Sequence, residues 1–371
     1  MTTATPKPPF RADQVGSLLR PPSLLDAREK RKRGELSAAA LHLIEDEAIR
    51  DVVRMQEELG LQSTTDGEFR RGLWHMDFVC DFANVRQTPG IPIKFHSEEG
   101  EIEWAPPGVK ITGRLARPRP IFVEDFTFLK SITQATPKIT LPSPSVMHFR
   151  GGRKAVDEQA YPDMEEFYAD LARVYGEEIR DLADAGCRYL QIDEVNMAFL
   201  CDPALRAHAR NIGEDPDALP HTYAKLINAA TSARHPEMTV CMHLCRGNAR
   251  SHWIADGGYE PVAEALFNEF GVDGYFLEYD SARAGDFSPL RFVPKGKRVV
   301  LGLVTTKKGA LETKDDLKRR IDEAAKIVPL DQLALSPQCG FASNAEGNNL
   351  TLEQEQAKLR LIVETAREVW G

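Results

Sequence analysis

Eight short apolar, β-prone runs recur along the chain, each separated from the next by an amphipathic or charge-rich stretch, and this alternation constrains the fold more than any other feature. The runs are Gln14 to Leu18, Ser63 to Glu68, Ile139 to Pro142, Tyr189 to Asp193, Thr239 to Cys245, Gly274 to Tyr279, Val299 to Val304 and Leu333 to Ser336. Helical periodicity fills the intervals at Ala38 to Gly60, Met164 to Gly186, Thr222 to Arg234, Val262 to Phe270, Thr313 to Ile327 and Leu352 to Trp370. Gly60 and Gly186 stand where a helix stops on a left-handed residue. Eight strand–helix units predict a single (β/α)8 TIM barrel over residues 1–371, with its site at the C-terminal ends of the strands. Two smaller α/β domains are the alternative. Thr88 to Arg119, with Pro, Gly and short alternating segments, breaks the repeat and predicts an inserted hairpin or lid after the second unit, an 88–119 insertion. Arg210 to Pro220 reads as a solvated loop.

Composition narrows the function. The 371 residues carry 47 basic and 56 acidic groups, a net charge of −9 with no basic block, which argues against nucleic acid and anionic membrane as partners. No apolar run reaches the roughly 18 residues of a membrane span. Met1 to Pro9 lacks the apolar core of a signal peptide, so a cytoplasmic protein is expected. Six cysteines are too sparse for a disulfide framework and, in a reducing compartment, point to metal binding or chemistry.

Strand alternation puts Cys241, His243 and Cys245 on one face of Thr239 to Cys245. His243 and Cys245 end that strand, Glu278 ends another, and Cys339 follows a third in Ser-Pro-Gln-Cys-Gly. Imidazole, thiolate and carboxylate are zinc ligand types, and four of them make a tetrahedral site. Against this stands packing, because a buried cysteine is most often a small core hydrophobe.

These segments resemble those of the cobalamin-independent methionine synthase family: His243-Leu-Cys245, Phe-Leu-Glu278-Tyr-Asp and Ser336-Pro-Gln-Cys339-Gly, together with Gln191-Ile-Asp193-Glu194, Asp66-Gly-Glu68-Phe-Arg and Val15-Gly-Ser17. They follow the family's order along nearly the whole chain, which is similar to the catalytic C-terminal half of the two-barrel enzymes and to the short, single-barrel branch that includes epoxyalkane:coenzyme M transferase. The resemblance implies a catalytic Zn2+ held by His243, Cys245, Glu278 and Cys339 that activates a thiol such as homocysteine as a zinc thiolate for S-methylation. Glu278 is the ligand expected to yield when substrate binds. The resemblance further implies that Ser17, Glu68 and Asp193, with Glu194 beside it, hold an amino-acid thiol, whose ammonium carboxylates can accept. The alternative for Asp193 and Glu194 is to cap the following turn, and for Glu68 a salt bridge to Arg70 or Arg71. Trp74, His75, His148 and Lys307 are candidate pocket lining.

Two family features are missing. The Asp-Ile-His segment after the seventh strand is replaced by Gly302-Leu-Val-Thr-Thr-Lys307-Lys308, and the folate-stacking Trp has no counterpart in Pro142-Ser-Pro-Ser-Val-Met-His148-Phe. The donor is therefore open between methyltetrahydrofolate, a corrinoid and another methyl or alkyl donor. Three readings follow: a zinc methyltransferase acting on homocysteine or a similar thiol; a zinc thiol transferase opening an epoxide or other alkyl electrophile; and a uroporphyrinogen decarboxylase-like barrel or metal-free binding module.

Overall fold

The computed structural model describes residues 7–90 and 92–371; residues 1–6, most of the N-terminal stretch read above, and Ile91, inside the predicted insertion, lie outside the described residues. In chain order the strands are β1 (Ser63–Thr64), β2 (Ala83–Thr88), β3 (Ile93–Ser97), β4 (Gly100–Trp104), β5 (Gly108–Ala116), β6 (Thr136–Pro137), β7 (Ile139–Pro142), β8 (Tyr189–Asp193), β9 (Thr239–Leu244), β10 (Gly274–Glu278), β11 (Arg298–Val304) and β12 (Leu333–Pro337). The result is a mixed α/β fold.

Unbroken apolar runs build strands buried on both faces, as parallel sheets require. Strands β7 to β12 obey this: they form one six-stranded parallel sheet in which sequence neighbours are spatial neighbours. Helices Met164–Asp184, Leu219–Thr231, Ala263–Glu269 and Lys314–Ala325 lie in the crossovers, and Leu352–Trp370 follows β12. All six C-terminal ends therefore share one edge. The helix boundaries follow their end chemistry: Asp163, Thr313 and Thr351 cap N-termini, the last as a full capping box, and Gly60 ends Ala38–Leu59 at φ +88°.

The first two predicted strands are corrected. Gln14 to Leu18 is not a strand: only Ala12 makes a parallel bridge, to Leu335, and Gly16 turns the chain at φ +139°. Only Ser63–Thr64 of Ser63 to Glu68 is strand, because Gly67 and Glu68 take left-handed φ of +67° and +60°. The segment nevertheless stays beside the sheet. Asp13 N donates to Leu335 O (3.0 Å), Leu18 N to Gly67 O (3.1 Å), and β1 pairs in parallel with β6, which runs on into β7.

The sheet's two faces differ. One packs into the large core; the other, through Tyr189, Cys241, Phe276, Val300 and Ala334, meets Phe10 and Val15 in a small separate cluster. Lys138 joins this plug, its ammonium 4.2 Å from the Phe276 ring centre and 3.4 Å from the Asp13 carboxylate, with both side chains fully buried. Asp13 also accepts from Ser63 and Tyr189, so the buried charge is bonded rather than orphaned.

The predicted insertion is a pair of antiparallel hairpins, β2–β5 outside and β3–β4 inside, starting at Ala83 rather than Thr88. The inner hairpin reaches across to the far wall: His96 and Trp253 exchange backbone hydrogen bonds of 2.7 and 2.9 Å, and Lys308 pairs with Glu98.

Glu355, in the first turn of the last helix, is buried and accepts from Leu19 N at 2.7 Å. Burial pushes its carboxyl up to about 8. A carboxyl raised on folding costs stability as pH climbs from its unfolded range near about 4.3 toward that raised value, and costs nothing further above it. Glu355→Gln is expected to remove a slope of up to about 1.4 kcal/mol per pH unit in that window. Urea unfolding of both proteins at pH 5 and pH 8 checks this: the variant should gain on wild type at pH 8 and little at pH 5.

Candidate metal and thiol site

Four chemistry-bearing side chains meet where the strands end. His243 lies near the end of β9, Cys245 just past it, Glu278 ends β10, and Cys339 follows β12. Their potential ligand atoms all lie within 4.8 Å of one another, and all four are buried. Alternation explains the aim of the strand residues: Cys241 and His243 share one face of β9, while Met242 and Leu244 enter the large core, and Cys245 lies just past the strand's end.

Cys245 Sγ and Cys339 Sγ are 3.3 Å apart, far from the about 2.05 Å of a disulfide. A hydrogen bond between the two sulfurs holds Cys339 well below the usual thiol range and pushes Cys245 well above it. Gly247 N points at Cys245 Sγ from 3.3 Å. Glu278 is gripped at both oxygens, by Arg246 N (2.9 Å) and by Arg283 (3.3 Å). Both ring nitrogens of His243 are buried without a hydrogen-bond partner. Orphaned imidazole nitrogens beside two thiols and a carboxylate are costly as packing, and a cation bound among them would satisfy the whole set. The residues present fit a metal ion.

A cleft with about 710 Å³ of space, partly open to solvent, adjoins this cluster and is walled by Ser17, Glu68, Asp193, His243, Cys245 and Cys339 among others. Asp193 Oδ1 accepts from Gln191 Nε2 at 2.7 Å. Burial first, and then the like charge of Glu68, push its carboxyl up to about 7. Glu68, held at left-handed φ, accepts from Thr140 Oγ1 (2.6 Å) and pairs with Arg71 at 3.2 Å. It thus both faces the cleft and makes the salt bridge that was its alternative. Ser17 contributes its carbonyl to Phe341 N (2.9 Å) and crowds Gly340, where an added Cβ would lie 2.0 Å from its hydroxyl.

Other predicted site residues lie elsewhere. Glu194 is fully buried and takes four donors, Ser143, Ser145 and the amides of Asn196 and Met197; it caps the turn, and Asp193 alone of the two walls the cleft. His148 is also structural: Tyr223 and Tyr168 hold its two nitrogens at 3.1 Å each. Lys307 does not wall the cleft; its ammonium contacts Asn248 Oδ1 at 3.0 Å, and its charge favours the thiolate forms of both Cys245 and Cys339. Trp74 and His75 do line the cleft, their rings 4.6 Å apart. Sequence reasoning missed Arg150, Asn248 and the hairpin residues Phe95 and Trp104, which close the cleft from sites distant in sequence.

Residues 10–368 match the model of the cobalamin-independent synthase catalytic domain. The chain is 47% identical over 98% of its length to the uncharacterized protein YxjH of Bacillus subtilis, covering 96% of that protein. It is 25% identical over 90% of its length to the 5-methyltetrahydropteroyltriglutamate–homocysteine methyltransferase of Thermotoga maritima, and that match covers only 42% of the longer enzyme. The crystal structure of a putative vitamin-B12-independent methionine synthase from Listeria monocytogenes superposes with a TM-score of 0.76 at 38% identity, each chain covered over 98%. No described helix is long and apolar enough to cross a membrane. On the match of its sequence and of its fold, this chain belongs to the cobalamin-independent methionine synthase family, as a chain spanning the catalytic domain.

Proposed function

We propose that this protein is a cytoplasmic, zinc-dependent methyltransferase that alkylates the sulfur of homocysteine or a closely similar amino thiol. The observation that carries the reading is the buried quartet His243, Cys245, Glu278 and Cys339 with its unpartnered imidazole, opening onto a cleft walled by two carboxylates. We read the frame of the described residues as one (β/α)8 barrel. Residues 11–18 support this, being hydrogen-bonded to β12 on one side and to residues 65–67 on the other.

His243, Cys245, Glu278 and Cys339 are the residues that would hold Zn2+. A Zn2+ held by them would supply the Lewis acidity that lowers a thiol's pKa enough to leave it nucleophilic at neutral pH. The rest falls to the chain's own side chains. Asp193 and Glu68 receive the substrate ammonium, and the Ser17 segment receives its carboxylate. Arg246 N and Arg283 keep the Glu278 carboxylate bonded if it leaves the quartet. Phe95 and Trp104 of the inner hairpin cover part of the cleft and would limit access of water to the reacting sulfur.

Elemental analysis of the purified protein, paired with zinc-edge absorption during homocysteine titration, tests the reading. About one zinc per chain that gains a sulfur neighbour is expected; a protein without zinc, or a zinc indifferent to homocysteine, refutes it. Asp193→Asn retains the acceptor for Gln191 but loses the charge, so homocysteine binding should weaken about tenfold or more. With the Asp193 carboxyl raised to about 7, wild-type affinity should fall as pH drops below that value, and calorimetric titrations at pH 6 and 8 should show no such step in the variant.

A further inference from the structure

We propose that Trp253 is a positioning residue that connects the inner hairpin to Glu278 through Arg283, so that the wall of the thiol cleft and the hold on the ligand expected to yield form one linked unit. The inference rests on the metal-site reading above, because Glu278 matters here as a metal ligand.

The two donors that grip Glu278 differ in kind. Arg246 N is a backbone amide beside Cys245 and moves only with the chain. Arg283 is a side-chain cation with a choice of acceptors. The nitrogen that reaches Glu278 Oε2 at 3.3 Å also donates to Asp280 Oδ1 at 2.7 Å, and the other terminal nitrogen donates to Ser281 Oγ at 2.7 Å. Asp280 has the shorter bond, so a guanidinium free to tilt would settle on Asp280 and let Glu278 go. Trp253 restricts that tilt. Its indole lies flat against the cation, 4.8 Å from the guanidinium carbon to the ring centre, and stacking of this kind fixes a guanidinium's plane. The indole is pinned in turn, because Nε1 donates to Asp256 Oδ1 at 2.9 Å. Gly257 N donates to Arg283 O at 2.9 Å, which seats the loops after β9 and β10 against each other.

The backbone of Trp253 belongs to the hairpin as much as to its own loop. Trp253 N donates to His96 O and His96 N to Trp253 O, so β3 has β4 along one edge and Trp253 along the other. The residue next to His96 is Phe95, whose ring packs on Trp104 with centres 5.6 Å apart, and both rings wall the cleft. Trp253 and Arg283 are absent from that wall, so they influence the site only through the groups they hold. The path from cleft wall to metal ligand is therefore short: the Phe95–His96 backbone, the Trp253 indole, the Arg283 guanidinium and the Glu278 carboxylate. Contacts that orient a metal ligand are worth about 10–100-fold in metal affinity, and a link of this kind transmits in both directions.

The test is competition for zinc between a chelator and the full chain, in wild type, Arg283→Met, Trp253→Ala, Trp253→Phe and the double variant Trp253→Ala with Arg283→Met. Arg283→Met should lose about tenfold or more in zinc affinity. Trp253→Ala should lose about threefold or more, the size of a partly buried cation–π contact, and Trp253→Phe, which keeps a ring face, should retain most of the affinity. In the Arg283→Met background Trp253→Ala should cost nothing further, whereas a residue that only packs would add its own loss. Wild type alone supplies a second readout that needs no variant to fold: zinc should slow hydrogen exchange at the His96 and Trp253 amides. The proposal is overturned by wild-type affinity in Trp253→Ala or Arg283→Met, by equal losses in Trp253→Phe and Trp253→Ala, by additive losses in the double variant, or by exchange that zinc leaves unchanged. Tight zinc that ignores homocysteine would sink the transferase reading and leave this result standing, since no thiol enters the competition. A wild type that binds no zinc overturns both.

Discussion

Cys339→Ser is expected to strip the protein of zinc and abolish thiol alkylation together. The four donors converge within 4.8 Å, and Cys339 is the sulfur that its surroundings already favour as thiolate. A serine hydroxyl does not ionise at neutral pH and is a poor zinc ligand, so three donors remain. Loss of a mere supporting contact to a ligand costs about 10–100-fold in metal affinity, and loss of the ligand itself should exceed that. Cys245→Ser should behave alike, with the added loss of the Gly247 N–H contact. Metal analysis after dialysis, with circular dichroism to verify folding, checks both. Retained zinc and turnover in both variants would mean that the cysteines only pack.

Gly302→Ala should be nearly as damaging, although the residue touches no substrate. Gly302 sits in β11 opposite Glu278 of β10 and Ser336 of β12, next to the register shift between Gly302 and Val304. An added Cβ would stand 2.7 Å from Gln338 Cα and 2.8 Å from Leu277 O, both backbone atoms with nowhere to rotate. Relief requires the strands carrying Glu278 and Cys339 to part. The expected cost is about 1–3 kcal/mol of stability together with weakened metal binding. Denaturant titration with and without a zinc chelator separates the two effects. An alanine variant as stable and as metal-tight as wild type would show that the sheet yields more than these distances allow.

The sheet was legible in the sequence where burial alone decides conformation. From Ile139 onward the apolar runs become strands with ends displaced by a residue at most, because a run with no polar interruption has few alternatives to a doubly buried strand. The N-terminal pair was not, because Gly16, Gly67 and Glu68 adopt positive φ, and residue identity suggests a turn without fixing where pairing stops. Helix Pro22–Lys32 has a sequence signal of its own, a proline at its first position and a basic last turn. At the site, positions along one strand were readable through alternation, which is why His243 and Cys245 converge with Glu278 and Cys339. Partners from distant segments were not. Glu194 and His148 look like free chemistry in one dimension, and only the folded chain shows Ser143, Ser145, Tyr168 and Tyr223 occupying them. Arg150 had no local pattern at all.

The plug of Phe10, Val15, Tyr189, Cys241 and Phe276 below the site has a consequence for the reactivity of the thiols. Cys241 and Cys245 lie four residues apart on the same side of one segment, yet the first is sealed in a dry layer that pushes its thiol up, and the second opens onto the cleft. Distance along the strand thus sorts chemically identical groups into sealed and accessible ones. An alkylating reagent applied to metal-depleted protein should mark the half-buried Cys80 and, in the cleft, Cys339 ahead of Cys245, and leave Cys241 untouched until the chain unfolds, which would make Cys241 labelling an internal clock for global opening.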